Sequence, residues 1–333
     1  MSKIAVSGGA GFLGSHIVDS LIDKGHEVLS IDNLSGGFKR NFNKRAHCEV
    51  IDLCQKEAVE WAFKLFEPEI IYHCAANARE GASFFDPSKI VYANQVATIN
   101  TLEAAIKAKS MKKWIGMSSM AVYGEQNPPF NETMTPKPCD VYGMSKYAME
   151  EITKMLADCH GFKYTIIRPH NIFGPRQSIR DKYRNVIGIF MNRIMRKEPL
   201  YIYGDGQQLR QFSYINDSLP SYLKCLDTAD NETINIGGAV EATVEHIAFI
   251  VIEAMLGDIA YPIYYLNNRY GEVKYAYCNP SKSIEMLGYQ DKIGIVQGIH
   301  NMTLWAQQLG AQEWCDEDLA IPNHRIPKTW RKQ

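Results

Sequence analysis

Apolar residues fall along this chain in two alternating rhythms. Short apolar runs at residues 4–6, 27–31, 47–51, 70–74, 114–118 and 162–167 have the length and β-branched content of strands; where such runs are nearly continuous, they suit strands covered on both faces of a parallel sheet. Between them, segments 12–24, 55–66, 90–109 and 142–159 repeat apolar residues at helical spacing. Ile17, Val18, Leu21 and Ile22 share one face of the first, and Met144, Tyr147, Ala148, Ile152, Met155 and Leu156 recur through the last. Alanines at 93, 97, 104, 105 and 108 suit segment 90–109 to close helix packing. Strand, helix, strand, repeated, predicts an α/β fold: a Rossmann-type doubly wound parallel sheet with right-handed crossovers.

From Arg168 onward the rhythm loosens, and prolines and glycines cluster at Pro169, Gly174 and Pro175. We expect a dinucleotide-binding domain over 1–174 and a smaller mixed α/β lobe over 175–315, with segments near 210–240, around Ser213 and Ile234, returning to the first domain. Residues 316–333 are polar, carry Pro322 and Pro327, and read as a tail that lies on the surface or is partly disordered.

The first strand runs into glycines at 8, 11 and 14 and then a helix. Such a turn lets backbone approach a pyrophosphate closely, and the helix start offers free N–H groups and a positive dipole end. The second strand ends at Asp32, about 20 residues on, where a carboxylate can accept the hydroxyls of an adenine ribose; the same residue also suits a turn opening before Asn33. A carboxylate there disfavours a 2′-phosphate, so the cofactor expected is NAD. Asp52, after the third strand, can reach the adenine amino group or cap the helix that follows. Ala75, Ala76 and Asn77, after the fourth, leave room for something flat against the backbone.

Tyr142 and Lys146 stand four apart on a predicted helix and therefore share a face. A nearby ammonium stabilises a phenolate, which would make Tyr142 a usable acid and base near neutral pH. Ser119 lies at the end of the fifth strand.

Composition narrows the partners. With 36 basic and 37 acidic residues the formal net charge is −1, and basic runs are short, so neither nucleic acid nor an anionic membrane surface is expected. The eight cysteines form no Cys-x-x-Cys pair or Cys/His cluster, so no metal is expected and the thiols read as reduced. The chain enters a strand at once and holds no apolar run of ~18 residues, which points to the cytoplasm.

Ser7-Gly-Gly-Ala-Gly-Phe-Leu-Gly14, Asp32-Asn-Leu-Ser, His73-Cys-Ala-Ala, Ser119-Met-Ala-Val-Tyr-Gly124, Tyr142-x-x-x-Lys146, Arg168-Pro-His-Asn-Ile-Phe-Gly-Pro175 and Gly204-Asp-Gly-Gln-Gln-Leu-Arg210 together resemble the extended short-chain dehydrogenase/reductases that act on nucleotide sugars, within which the pattern is most similar to the UDP-glucose 4-epimerases. That resemblance implies catalytic Ser119, Tyr142 and Lys146. It implies cofactor contacts at Gly8, Gly11, Phe12, Leu13, Gly14, Asp32, Asn33, Ser35, Asp52, Leu53, Cys74, Ala75, Ala76, Asn94, Ser118, Tyr142, Lys146 and Pro169. Substrate contacts are implied at Asn77, Ser119, Met120, Tyr142, Asn171, Asn185, Val186 and Tyr201, with Arg210 and Arg269 clamping a diphosphate. It further implies C4 epimerisation through a transient keto sugar, and a homodimer pairing helices 90–109 and 142–159.

Three departures matter. Met120 and Ala121 stand where the dehydratases of the group carry Asp-Glu, which argues against loss of water. Gln211 replaces a usual Asp, and Gly188 stands where a Pro is common. Arg79-Glu80 is also unusual, and Arg79 suggests a sugar carrying a carboxylate. The same residues serve a net oxidoreductase or a decarboxylase, which stays open as the alternative reaction.

Overall fold

The computed structural model describes residues 1–257, 259–315 and 318–331. Its centre is a seven-stranded parallel sheet. The strands are β1 (Lys3–Ser7), β2 (Glu27–Asp32), β3 (His47–Val50), β4 (Ile70–His73), β5 (Lys113–Met117), β6 (Lys163–Pro169) and a returning strand, Glu232–Ile236. Their spatial order is Glu232–Ile236, β6, β5, β4, β1, β2, β3. The chain thus builds outward from β1 on one side, then crosses to β4 on the other. In an open α/β sheet, the crevice beyond the carboxyl ends at such a reversal is where ligands bind.

Register brings the candidate residues to that one edge. Ser7 pairs with Ile31 and with His73, His73 with Gly116, and Met117 with Ile167. Gly8, Asp32, Cys74 and Ser118 therefore leave the sheet side by side. Helices α1 (Phe12–Asp23), α2 (Lys56–Phe66), α3 (Pro87–Val91), α4 (Ala97–Ala108) and α5 (Val141–His160) supply the crossovers. Ile17, Val18 and Leu21 of α1 are fully buried with Ile4 and Val6 of β1, as their spacing requires.

The single helix expected over 90–109 is divided. Tyr92–Val96 forms a π-helical turn between α3 and α4. Asn94 lies in it, buried, and its amide takes the Asn77 N–H at 2.7 Å while donating to the Asn77 carbonyl (3.3 Å) and to Ser145 Oγ (2.9 Å). The wider turn thus coincides with a side chain that satisfies the loop leaving β4, a common place for such turns.

The second lobe packs Val186–Met195, Val244–Leu256 and Gly294–Leu309 over three small sheets. Ile187, Phe190, Ile247 and Met302 belong to the same apolar cluster as Ile4 and Ile167, so lobe and sheet share one core. The return expected near Ile234 is strand Glu232–Ile236 beside β6, whereas Ser213 pairs in a separate two-stranded ribbon with Ile172–Phe173.

Over the described residues 318–331 the chain does run along the surface, most of it exposed, but it is anchored at two points. Trp330 is 4% exposed, and its ring meets Tyr183 edge-on at 5.1 Å. The Ile321 N–H donates to the Phe85 carbonyl at 2.8 Å. A single large aromatic and one strand-like hydrogen bond fold an otherwise polar segment back onto the body. The rest of that expectation, residues 316, 317, 332 and 333, lies outside the described residues.

Candidate active site

Two cavities open along the carboxyl edge. The first, about 500 Å³, is lined by Gly8, Gly11, Asp32, Asn33, Ser35, Asp52, Leu53, Cys74, Ala75, Ala76 and Asn77, with Arg79 and Arg184 toward its far end. Gly8 has φ +71, and a Cβ there would stand 2.8 Å from the Ala75 nitrogen. Only glycine lets this turn and the β4 loop approach so closely. At Gly14 a Cβ would fall 2.2 Å from the Gly8 carbonyl oxygen. Helix α1 begins at Phe12 with no side-chain cap, leaving the N–H groups of Phe12, Leu13 and Gly14 without intrahelical acceptors at the cavity's floor. This cradle fits a dinucleotide pyrophosphate.

Asp32 is held by the N–H groups of Leu34 (2.7 Å) and Ala10 (3.1 Å), and burial raises its pKa against those bonds. Asn33 Oδ1 accepts from the Ser35 N–H and hydroxyl, which fixes the loop. Asp52 Oδ1 takes the Cys54 N–H at 2.9 Å, and Gln55 rather than Asp52 occupies the N-cap of α2.

Other expected cofactor contacts are placed elsewhere. Asn94 braces Asn77 from behind. Ser118 gives its hydroxyl to Glu150, and Pro169 closes β6 away from the lining. Phe12 and Leu13 offer only backbone, their side chains packing on the core. Asn77, expected against the substrate, belongs to the first cavity instead.

The second cavity, about 190 Å³, lies under the smaller lobe. Met120, Asn171, Asn185, Val186, Tyr201, Arg210 and Arg269 all line it, as expected of the substrate set. Asn171 and Asn185 hold positive φ angles of 35 and 31, a conformation that side chains seldom adopt. The Asn185 side chain caps Val186–Met195 by accepting the Ile187 N–H, and the Asn171 amide donates to the Gln211 carbonyl at 2.8 Å. Arg210 and Arg269 converge on one carboxylate, Glu272, with Arg210 Nη2 at 3.2 Å and Arg269 Nε at 2.7 Å. Arg269 is no surface arginine. Gln211 lies outside the cavity; its amide pairs with both the N–H (2.8 Å) and the carbonyl (3.1 Å) of Cys278.

Tyr142, 8% exposed, is hydrogen-bonded to Ser119, whose neighbour Met120 lines the second cavity, while Lys146, one turn on, interacts with Cys74 of the first. Neither Tyr142 nor Ser119 contributes to the lining of either cavity. Arg184 lines both cavities, and its charge reaches Tyr142 and Lys146. The Lys146 ammonium donates to the Met117 carbonyl at 2.8 Å and stands 6.0 Å from the centre of the Tyr142 ring. The lowering expected of the Tyr142 pKa is outweighed here: burial pushes it up to about 12, with the Ser119 hydrogen bond opposing. Burial also brings Lys146 down to about 8. Desolvation of both groups exceeds their mutual help, so a low phenol pKa needs a further positive charge beside it.

Sequence reasoning missed several residues. Glu150 on α5 is fully buried and holds Arg168 through two bonds, 2.8 and 2.6 Å, while Arg168 reaches the Tyr123 hydroxyl at 2.8 Å. This network locks α5 against β5 and β6 beneath Tyr142. Arg79, expected toward a sugar carboxylate, is placed elsewhere: its Nε bonds Asp181 at 3.0 Å, both side chains are largely buried, and it lines the first cavity. Its neighbour Glu80 lines the second.

The fold, the glycine cradle and the Ser-Tyr-Lys cluster define an enzyme of the dinucleotide-dependent class. Residues 4–237 match the NAD dependent epimerase/dehydratase family, and the chain belongs to it. Within that family it is 35% identical, over 91% of this chain and 97% of the relative, to a provisionally named UDP-glucose 4-epimerase of Methanocaldococcus jannaschii. Its structure resembles the UDP-glucose 4-epimerase of Thermotoga maritima with UDP-glucose, at 34% identity and TM-score 0.87, covering 92% of this chain and 99% of that one. The Thermus thermophilus UDP-glucose 4-epimerase in complex with NAD follows at 30% identity and TM-score 0.85, over 91% and 98%.

Proposed function

We propose that the protein is an NAD-dependent nucleotide-sugar 4-epimerase acting on a UDP-sugar. The observation that carries this is the cluster of Tyr142, Ser119 and Lys146 next to a cavity built for a dinucleotide and one lined by paired arginines. Bound NAD would supply a hydride acceptor and a positive charge near the phenol. Tyr142 takes the proton of the sugar 4-hydroxyl and later returns it, and Ser119 holds the reacting oxygen. Lys146, near the phenol, favours the phenolate. Arg210 and Arg269, bidentate donors, bind the diphosphate once they turn from Glu272. With Met120 and Ala121 beside Ser119, no carboxylate follows the serine to remove water, which favours return of the hydride over dehydration.

We assign the enzyme to the cytoplasm and to a homodimer. No helix among the described residues is long and apolar enough to cross a membrane. Tyr92, Ile99, Met144 and Met155, on the segments expected to pair, are exposed apolar residues that a second copy would cover.

The test is proton NMR of the purified protein with UDP-glucose, UDP-galactose and UDP-glucuronate, without added NAD. A C4 epimer forming with no lasting NADH absorbance is the expected result. A keto or decarboxylated product, or accumulating NADH, would replace epimerisation with the alternative reaction.

A further inference from the structure

Acidic groups around the two cavities are almost all engaged. Asp181 holds Arg79, Glu272 holds Arg210 and Arg269, Asp140 accepts the Gly143 N–H at 2.7 Å, and Asp32 accepts two backbone N–H groups. Glu80 is different. Its side chain lines the second cavity beside Met120, Arg210 and Arg269, and among the described residues its carboxylate has no hydrogen bond or ion pair.

The segment that carries it is fixed. The Glu80 carbonyl accepts the Ser83 N–H at 3.1 Å, and Gly81 lies against Trp330, where a Cβ would meet the indole at 3.0 Å. Glu80 interacts electrostatically with Asp140, Arg210, Glu272 and Arg269, and its charge is felt at Tyr142. It therefore shares the cavity wall with the two arginines and lies within electrostatic reach of the acid–base phenol, the groups a sugar must meet if its reacting hydroxyl reaches Tyr142 and its diphosphate reaches Arg210 and Arg269. Burial and the Asp140 charge push the Glu80 carboxyl up.

We propose that Glu80 selects the sugar: its carboxylate accepts hydrogen bonds from sugar hydroxyls and excludes sugars that carry a carboxylate of their own. This rests on the reading of the second cavity as the nucleotide-sugar pocket, and it reverses the expectation attached to Arg79. Two chemical facts support it. A carboxylate that lines the cavity without a protein donor is free to take hydrogen bonds from a ligand, so a hydroxyl-bearing sugar gains where an apolar filler would not. With Arg210 and Arg269 already facing Glu272 and Glu80, the local charge is balanced before substrate enters; a diphosphate can displace Glu272, but a uronate would add a further anion beside Glu80.

The experiment is calorimetric titration of the NAD-loaded protein with UDP-glucose and with UDP-glucuronate, for the unaltered chain, Glu80→Gln and Glu80→Asp, alongside NMR of the products. The unaltered protein should bind UDP-glucose at least about tenfold more tightly than UDP-glucuronate, a difference of roughly 1.4 kcal/mol. Glu80→Gln should shrink that ratio to within about threefold, chiefly by tightening UDP-glucuronate. Glu80→Asp, which keeps the charge but shortens its reach, should still exclude UDP-glucuronate and bind UDP-glucose more weakly. Equal or preferred binding of UDP-glucuronate by the unaltered protein, or a ratio untouched by Glu80→Gln, overturns the proposal. Epimerisation of UDP-glucose with a flat ratio removes this inference alone; the expected ratio with no epimerisation removes the epimerase reading and leaves the selection by Glu80 standing.

Discussion

Lys146 spends one hydrogen bond on the Met117 carbonyl, 2.8 Å away at the end of β5. That bond anchors the ammonium at the carboxyl end of β5, near the ring of Tyr142, and burial has already brought its pKa down to about 8. For a cationic acid lowered by burial, the charged form is complete below that value and lost as pH rises through it. We expect kcat/KM to fall above about pH 8, and Lys146→Met to remove that limb. A profile flat to pH 10 would contradict a charged role for Lys146. Tyr142→Phe, which deletes the acid and base but keeps the ring, should lower kcat by about 10²–10⁴ with little change in binding of the nucleotide sugar.

Arg210 and Arg269 share Glu272 across the second cavity. If they clamp a diphosphate, Arg269→Ala should raise KM by roughly 10–100-fold with kcat nearly intact, the cost of losing hydrogen bonds to a charged group. Lys at the same position should recover little, since an ammonium cannot reproduce the planar fork. Steady-state kinetics on the two single variants checks this. An unchanged KM in both would move the diphosphate elsewhere, with Arg184, which lines both cavities, as the next candidate.

The sheet and its cradle were legible because local chemistry dictates them. Short apolar runs alternating with helical periods favour strands, of which β3 at the sheet's edge has no buried residue, and Gly8 and Gly14 are required by backbone contacts that no side chain would permit. The second cavity was legible only through motifs, since its residues come from loops, short strands and helix ends scattered along the chain from Glu80 to Trp330. Glu80, Arg184 and Glu272 are single charged residues whose meaning is set by neighbours far along the chain. Arg79 is of the same kind: the carboxylate it meets in this structure is Asp181, a hundred residues on. Gln211 shows the same limit, as its exchange from the usual Asp serves the Cys278 backbone rather than a ligand.

Holding Glu80 ready for substrate costs the free protein stability. Its carboxyl pKa is raised by burial and by Asp140, so between the ordinary glutamate range and neutral pH the folded state binds more protons than the unfolded one. Stability from this group therefore falls as pH rises across that window. Glu80→Gln should raise Tm by a few degrees at pH 8 and leave it nearly unchanged at pH 4. A lower Tm at pH 8 would mean that the carboxylate has a stabilising partner.

Glu150 and Arg168 make the opposite case, a buried pair whose two halves depend on each other. Removing Glu150 leaves a guanidinium buried among Tyr123 and Ser118 with no anion, a loss of about 3–5 kcal/mol. For a chain of this size that is a fall in Tm of roughly 10 °C. Thermal unfolding of Glu150→Ala measures it, and a shift under about 2 °C would show that water or Asn235, which already accepts from Tyr123, replaces the carboxylate.

The C-terminal segment supplies a wall of the second cavity rather than an ornament. Thr329 and Trp330 line it, Thr329 hydrogen-bonds the Tyr203 hydroxyl, and Trp330 meets both Tyr183 and the backbone at Gly81. These contacts involve few residues and are made at one end of the chain, so they belong to the part of the structure that opens most readily. Ending the chain after residue 315 should leave the dinucleotide cavity and the global Tm largely intact, because its contacts to Tyr203, Tyr183, Phe85 and the backbone at Gly81 lie off the central sheet and α1. It should free the loop that carries Glu80, raise KM for the nucleotide sugar about tenfold, and increase hydrogen exchange at residues 81–85. An unaltered KM with increased exchange would show that the indole covers the loop without shaping the pocket, and unaltered exchange would show that the loop holds its position by its own 3-10 turn.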